Sequence, residues 1–377
     1  NPNTPKENLI TLAQDDNFRV RMVSGLNPNT PPGTLATLAM DPEKTVRYAA
    51  ARNPNTPSEY LSQMAKDEDH SVRNAVAENP STPAETLDAL TEDELAFVSN
   101  SVAKNPSTTA KTLMKLAGNN HHLVRKDVAE NPNTAEETLV FLATDSHRTT
   151  REVIAGNPNI PVETLVTLAK DVSMAVRHAV ARNSSTPADI LVTLVKDEIM
   201  SVRLDVARNP NTPAETLTSL AKDEYEGLRV KVAGNPNAPL EILVTLARDE
   251  DKLVRFVVAG NPNTPAETLD ALADDELAFS SSQVAKNLST TSETLMRLAG
   301  NDHYSVRLDV ANNTKTPAKT LASLAEDTSK EVQEAVARNP NTSAETLTTL
   351  AKDENQRVRM AVAGNPNTPV EILTTLA

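Results

Sequence analysis

An all-α solenoid of stacked helix pairs is the fold class this sequence predicts, and three observations predict it. Asparagine returns every 26 residues, at Asn1, Asn27, Asn53 and on to Asn365, with no insertion or deletion in 377 residues. Within each interval two apolar sets recur at helical spacing on either side of a short polar loop. Aromatic residues make up only 2% of the chain, too few for a globular core built on rings. A unit this small cannot bury its apolar face alone, so neighbours must stack and share a core. The chain therefore reads as one continuous array over 1–377, fourteen full repeats plus a half repeat. The two or three domains that its length alone suggests are set aside.

Residues 209–234, NPNTPAETLTSLAKDEYEGLRVKVAG, serve as the representative unit. Thr212 suits a helix N-cap, Pro213 the first helical position, and Glu215 the third position of a capping box. Leu217, Leu220 and Ala221 form the apolar stripe of this first helix. The first of these leucines is invariant from Leu9 to Leu373, and the second gives way only at Met64. Asp223 opens a loop, after which Leu228, Val232 and Ala233 mark a second helix short enough for either α or 3₁₀ geometry. Gly234 is placed to stop it, and Asn235 precedes Pro236, which pushes it out of the α region. Helices packing ~8–10 Å apart make the whole a curved or superhelical rod.

Two polar columns read as structural. Arginine follows the valine of the second helix in eleven of fourteen units, and aspartate follows the first helix in twelve. Ser99 and Ser281 replace arginine, while Asn119 and Asn301 replace aspartate one unit later. Losses in consecutive units predict that arginine of one unit pairs with aspartate of the next, Arg203 with Asp223 and Arg229 with Asp249. Gln333 followed by Asp353 breaks that rule. The invariant asparagines, Asn209 and Asn235 among them, read as a ladder capping backbone groups in the turn between helices.

The unit resembles the leucine-rich repeat variant family, whose pattern is V-R-x-x-V-A-x-N-P-x-T-P-x-E-x-L-x-x-L-A-x-D. Val202, Arg203, Val206, Ala207, Asn209, Pro210, Thr212, Pro213, Glu215, Leu217, Leu220, Ala221 and Asp223 match it. The resemblance runs through the whole chain and implies a right-handed superhelix alternating α and 3₁₀ helices. That family's unit is usually 24 residues, and the two extra residues here fall after the aspartate, where they would lengthen the second helix toward a HEAT-like pair. An iron–sulfur cluster known alongside such repeats does not carry over, because the chain has no cysteine.

A longer period lies over the short one. Residues 79–104 and 261–286 agree at 20 of 26 positions, and 105–130 and 287–312 at 17 of 26. The offset is seven units, so 79–144 and 261–326 lie in a duplicated seven-repeat block.

Composition narrows the function classes. Lys plus Arg is 37 against 51 Asp plus Glu, a net charge of −14, which disfavours nucleic acid and anionic membranes. No apolar run approaches the ~20 residues of a membrane span. There is no Gly-rich phosphate loop, nucleophile elbow or H-E-x-x-H, so no enzyme activity, cofactor or metal is expected. Five of the six histidines fall in the variable loop, where solvated side chains are the expectation.

Function is expected where the unit varies. One such place is the loop after the aspartate, which turns apolar at Leu95 and Phe97 and again at Leu277 and Phe279. Exposed, these would anchor a partner; folded back, they would fill the gap left by the missing arginines at Ser99 and Ser281. The other is the second-helix column that holds Tyr48, His178, Phe256 and Met360. A scaffold binding protein or peptide partners along these columns is the first reading. The alternative is a structural element that self-associates end to end or laterally, since no polar cap is visible at either end of the array. Localisation cannot be read.

Overall fold

The computed structural model describes residues 2–275 and 278–376. Regular structure among them is entirely helical: α1 to α29 alternate as first and second helix of successive units. They gather into two compact units, Asn1–Thr186 and Pro187–Ala377, each built in the same way.

Both helices of a repeat are α-helices. The first is typically seven residues, as in α17 (Ala214–Leu220), and the second is longer, nine residues in α4 (Lys44–Arg52) and eight in α18 (Glu226–Ala233). The 3₁₀ alternative for the second helix is thereby corrected. The two residues added after the aspartate give that segment more than two full turns, enough for i→i−4 bonding to persist.

The start of the first helix also differs from the sequence expectation. Pro213 is itself the N-cap, at φ −61° and ψ 148°, and α17 begins at Ala214. A proline cap has no N–H, so no capping box can form with Glu215, which instead places its charge in the first turn of the helix. Thr212 faces backwards: its hydroxyl donates to the Val206 carbonyl at 2.5 Å, near the C-terminal end of α16 (Met200–Arg208). The last carbonyls of a helix lack intrahelical donors, and this hydroxyl supplies one. Where a hydroxyl residue replaces proline, at Thr109, Thr291 and Ser343, the side chain does cap, accepting from the amides of Thr112, Thr294 and Thr346. The second helices end as the sequence predicts, with Asn209 (ψ 129°) and Asn261 (ψ 125°) extended before proline.

The core is one repeated pattern. Leu217, Leu220, Leu228, Val232 and Ala233 are buried, and in the second unit equivalent residues run as a continuous cluster from Ala207 to Val362. Successive second helices pack directly on one another, whereas successive first helices meet less closely. Small residues permit that approach: Ala51, Ala77 and Ala103 have no exposed surface, and a Cβ on Gly25 would sit 3.2 Å from that of Ala49. Within each compact unit, stacking thus leaves one surface formed by second helices and another formed by first helices.

Candidate interaction surface

The invariant polar residues are consumed inside the array. Arg229 Nε donates to Asp249 Oδ2 at 2.7 Å and Nη2 to Oδ1 at 2.9 Å, a bidentate pair between neighbouring units. Its remaining nitrogen, Nη1, donates to the carbonyls of Asp223 and Glu224. Arg21–Asp41, Arg47–Asp67, Arg73–Asp93, Arg151–Asp171 and Arg307–Asp327 repeat this pairing. Burial works against the Asp249 carboxylate, but the Arg229 bonds, the Asp251 N–H and the charges of Arg229 and Arg255 outweigh it. The carboxyl is therefore held below its usual range.

The substituted units show what each group does. Asn119 and Asn301 still accept the amides of His121 and His303, as Asp249 accepts that of Asp251. The turn needs only an oxygen; the negative charge serves the arginine, and the two are absent together. Gln333 keeps the carbonyl bond, donating to Asp327 at 2.8 Å, while Lys330 Nζ takes over the pairing with Asp353 Oδ2 at 2.8 Å. Arg203 is a correction to the predicted column. It holds the Asp197 and Glu198 carbonyls, but its Nη2 lies 3.4 Å from Met200 Sδ and forms no ion pair with Asp223. The Met200 thioether occupies the nitrogen that reaches the carboxylate elsewhere.

The asparagine column works at the opposite end of the joints. Asn235 Nδ2 donates to the carbonyls of Ala207 and Asn209, at 2.8 and 3.0 Å, while its Oδ1 accepts the Asn237 amide. The Asn53, Asn79, Asn105, Asn131, Asn261, Asn287, Asn313, Asn339 and Asn365 carboxamides likewise cap the preceding second helix and bond the preceding asparagine. A second, exposed rung runs beside it: Asn55, Ser81, Ser107, Asn237 and Asn367 donate to the carbonyl one residue before the equivalent position of the previous unit, such as Pro28 or Pro210. Sequence reasoning missed this rung, although restriction of its column largely to Asn and Ser was a signal.

What remains for a partner is the variable surface of the second helices. Lys44, Thr45 and Tyr48 on α4, Asp69, His70, Ser71 and Asn74 at α6 (His70–Glu78), and Phe97 on α8 (Ala96–Lys104) line one groove of 450 Å³ across three repeats. Phe97 is 44% exposed and meets the His70 ring edge-on, 5.6 Å between centroids. It does not fold back into the space beside Ser99. Leu95 is half-buried at the N-cap of α8. Asp69, bonded by Lys44 Nζ at 2.8 Å and by the Ser71 amide, has its carboxyl lowered to about 2, the Lys44 hydrogen bond being the largest cause.

The other predicted residues, Leu277 aside, lie on second helices outside this groove. His178 lines a separate groove with Lys126, Thr149, Glu152, Val153 and Met174. Phe256 is half-buried on α20 (Lys252–Gly260), while Met360 on α28 (Gln356–Gly364) and Phe279 are exposed, the last at 74%. Leu277 lies outside the described residues. His122 and His147, from adjacent repeats, stack with ring centroids 3.8 Å apart.

The first-helix surface carries a feature that sequence reasoning overlooked. Met114, Val140, Phe141, Val162 and Val166 are exposed on α9 (Ala110–Ala117), α11 (Glu136–Leu142) and α13 (Val162–Leu168). The recurrence of Met114, Val140 and Val166 one residue after the invariant leucine was the available signal. No helix among the described residues is long and apolar enough to cross a membrane.

One solved structure, described as a leucine-rich repeat variant with a novel repetitive structural motif, is 27% identical over 59% of this chain and 88% of its own, at a TM-score of 0.44. An engineered protein is 18% identical over 94% of this chain and 96% of its own, at a TM-score of 0.26. No curated protein matches the chain. The family model for the leucine rich repeat variant matches residues 71–95, 201–224, 226–251, 253–277 and 331–355, all beginning within one residue of the same position in the 26-residue unit. Five repeats of this chain are therefore similar to the repeat of the leucine rich repeat variant family.

Proposed function

We propose that this chain is a non-catalytic repeat scaffold that holds protein or peptide partners along the surface of its second helices. The two compact units act as one array, a reading supported by the 26-residue register, which passes residue 186 unbroken. The observation that carries the proposal is the groove lined by Lys44, Tyr48, His70, Asn74 and Phe97. Three repeats contribute different side chains to one concavity, while their invariant Arg, Asp and Asn are occupied in holding the repeats together. Aromatic side chains beside a charged pair are the kind of anchor that dominates protein interfaces.

Selection of peptides from a displayed library against the intact chain tests the proposal. Tyr48→Ala and Phe97→Ser are expected to weaken the selected peptides about tenfold or more, equivalent to roughly 1.4 kcal/mol. Phe141→Ser, on the first-helix surface, is expected to leave them unchanged. Loss of affinity on Phe141→Ser alone would move the binding surface to the first helices. Light scattering over a concentration series supplies a second check. A constant mass near 40.5 kDa fits a scaffold awaiting a partner, and mass growing with concentration would favour self-assembly.

A further inference from the structure

One joint in the first compact unit is built differently from its neighbours. Between α10 (His122–Glu130) and α12 (Arg148–Gly156) the Arg125–Asp145 pair is closed, Nε donating to Oδ2 and Nη2 to Oδ1, the latter at 2.9 Å. At the turn end of the same joint both rungs are open. Asn157 accepts the Asn159 amide but makes no bond to Ala129 or Asn131, the carbonyls its column would reach, and Asn159 makes none to Pro132. Asn131 and Asn133 in the preceding repeat, and Asn183 and Ser185 in the following one, make the corresponding bonds. Asn157 is also partly exposed, whereas Asn131 and Asn183 are buried.

The sequence supplies a cause. At Ile160 the hydroxyl residue of the turn is replaced by a larger apolar side chain that is 5% exposed. Loss of the hydroxyl alone does not open a joint: Ala238 lacks it too, yet Asn235 and Asn237 keep their bonds to Ala207, Asn209 and Pro210. Bulk remains, seated in a turn that elsewhere holds threonine or alanine. A second weakness lies on α12, where Thr150 stands in a column otherwise largely valine, with no exposed surface and no partner for its hydroxyl. Uncompensated burial of that group lowers the cost of local opening.

We propose that the joint between α10 and α12 is a hinge, anchored at its loop end by Arg125–Asp145 and free to open at its turn end because Ile160 holds the asparagine rungs apart. The groove lined by Lys126, Thr149, Glu152, Val153, Met174 and His178 crosses this joint, so its width changes as the hinge moves. The hinge follows from the missing rungs and holds whether or not that groove takes a partner.

The chain has no cysteine, so spin-label pairs can be introduced cleanly. Labels at Ala110 and Val162 span the joint, and labels at Ala84 and Glu136 span two closed joints at the same two-repeat separation. Pulsed electron–electron resonance is expected to give a broader distance distribution for the first pair. Ile160→Thr and, separately, Ile160→Ala are expected to narrow it to the width of the second pair. Equal widths in the parent protein would overturn the proposal. So would a broad distribution that neither substitution narrows, in chains whose circular dichroism shows them folded.

Discussion

At Asn235 one carboxamide does three things: it caps α16, bonds the previous asparagine and fixes the turn through Asn237. Its side chain is buried, so truncation would leave helix-end carbonyls without a donor and out of reach of water. Asn235→Ala is expected to destabilise the protein by about 2 kcal/mol, within the usual penalty for stranded buried polar groups. Asn157 occupies the same place in the repeat but makes neither inter-repeat bond, and Asn157→Ala should cost less than half as much. Urea unfolding followed by circular dichroism compares the two. Equal losses would mean that the residue type matters through its turn and not through the ladder.

Elements are joined by bonds at both edges, which is why the joints could be read only in part. The 20-residue offset from Arg229 to Asp249 is visible in sequence because arginine and aspartate disappear in adjacent units. The help that Lys330 gives Gln333 is not visible, since it comes from a different column of the same helix. Thr212 was misassigned for a related reason. A threonine before proline suits the start of the next helix as well as the end of the last, and only the position of the Val206 carbonyl decides. The helix pair itself was legible from apolar spacing, but α against 3₁₀ depended on how far the second helix extended. The apolar exposure of Phe141 and Val166 was hidden because a stripe at helical spacing reads as core until the packing partner is known. At this scale a double-mutant cycle is the informative test. Arg229→Ala and Asp249→Asn are expected to couple by about 1 kcal/mol, and Arg229→Gln should retain part of the stability by keeping the Asp223 carbonyl, as Gln333 keeps that of Asp327. Simple additivity would remove the pair from the account.

Across the whole molecule the ion pairs add into a common acid response. At Asp41, Asp145, Asp171, Asp249, Asp327 and Asp353 burial opposes ionisation, yet bonds to arginine or lysine and to a turn amide win, so every one of these carboxyls lies below its usual 3.8. A pKa lower in the folded state means that the unfolded chain binds protons first as pH falls. The stability these groups contribute is complete above about pH 5 and is lost as pH falls below about 4 and through the folded values. Asp127 works the other way, since burial raises its pKa, but it is one group against six. The melting temperature is therefore expected to be level from about pH 7 to pH 5 and to fall steeply below about pH 4. A level profile down to about pH 3 would deny the ion pairs any part in holding the repeats together.

The functional claim is that the second-helix surface carries the partner while the invariant columns only build it. Its most direct test is hydrogen–deuterium exchange on the intact chain, with and without the tightest peptide obtained by selection. Slower exchange confined to the second helices, at 44–52, 70–78 and 96–104 if the aromatic groove is occupied, is the result the account predicts. Protection confined instead to the first helices, around 110–117, 136–142 and 162–168, would contradict it and assign binding to the exposed stripe of Met114, Val140, Phe141 and Val166.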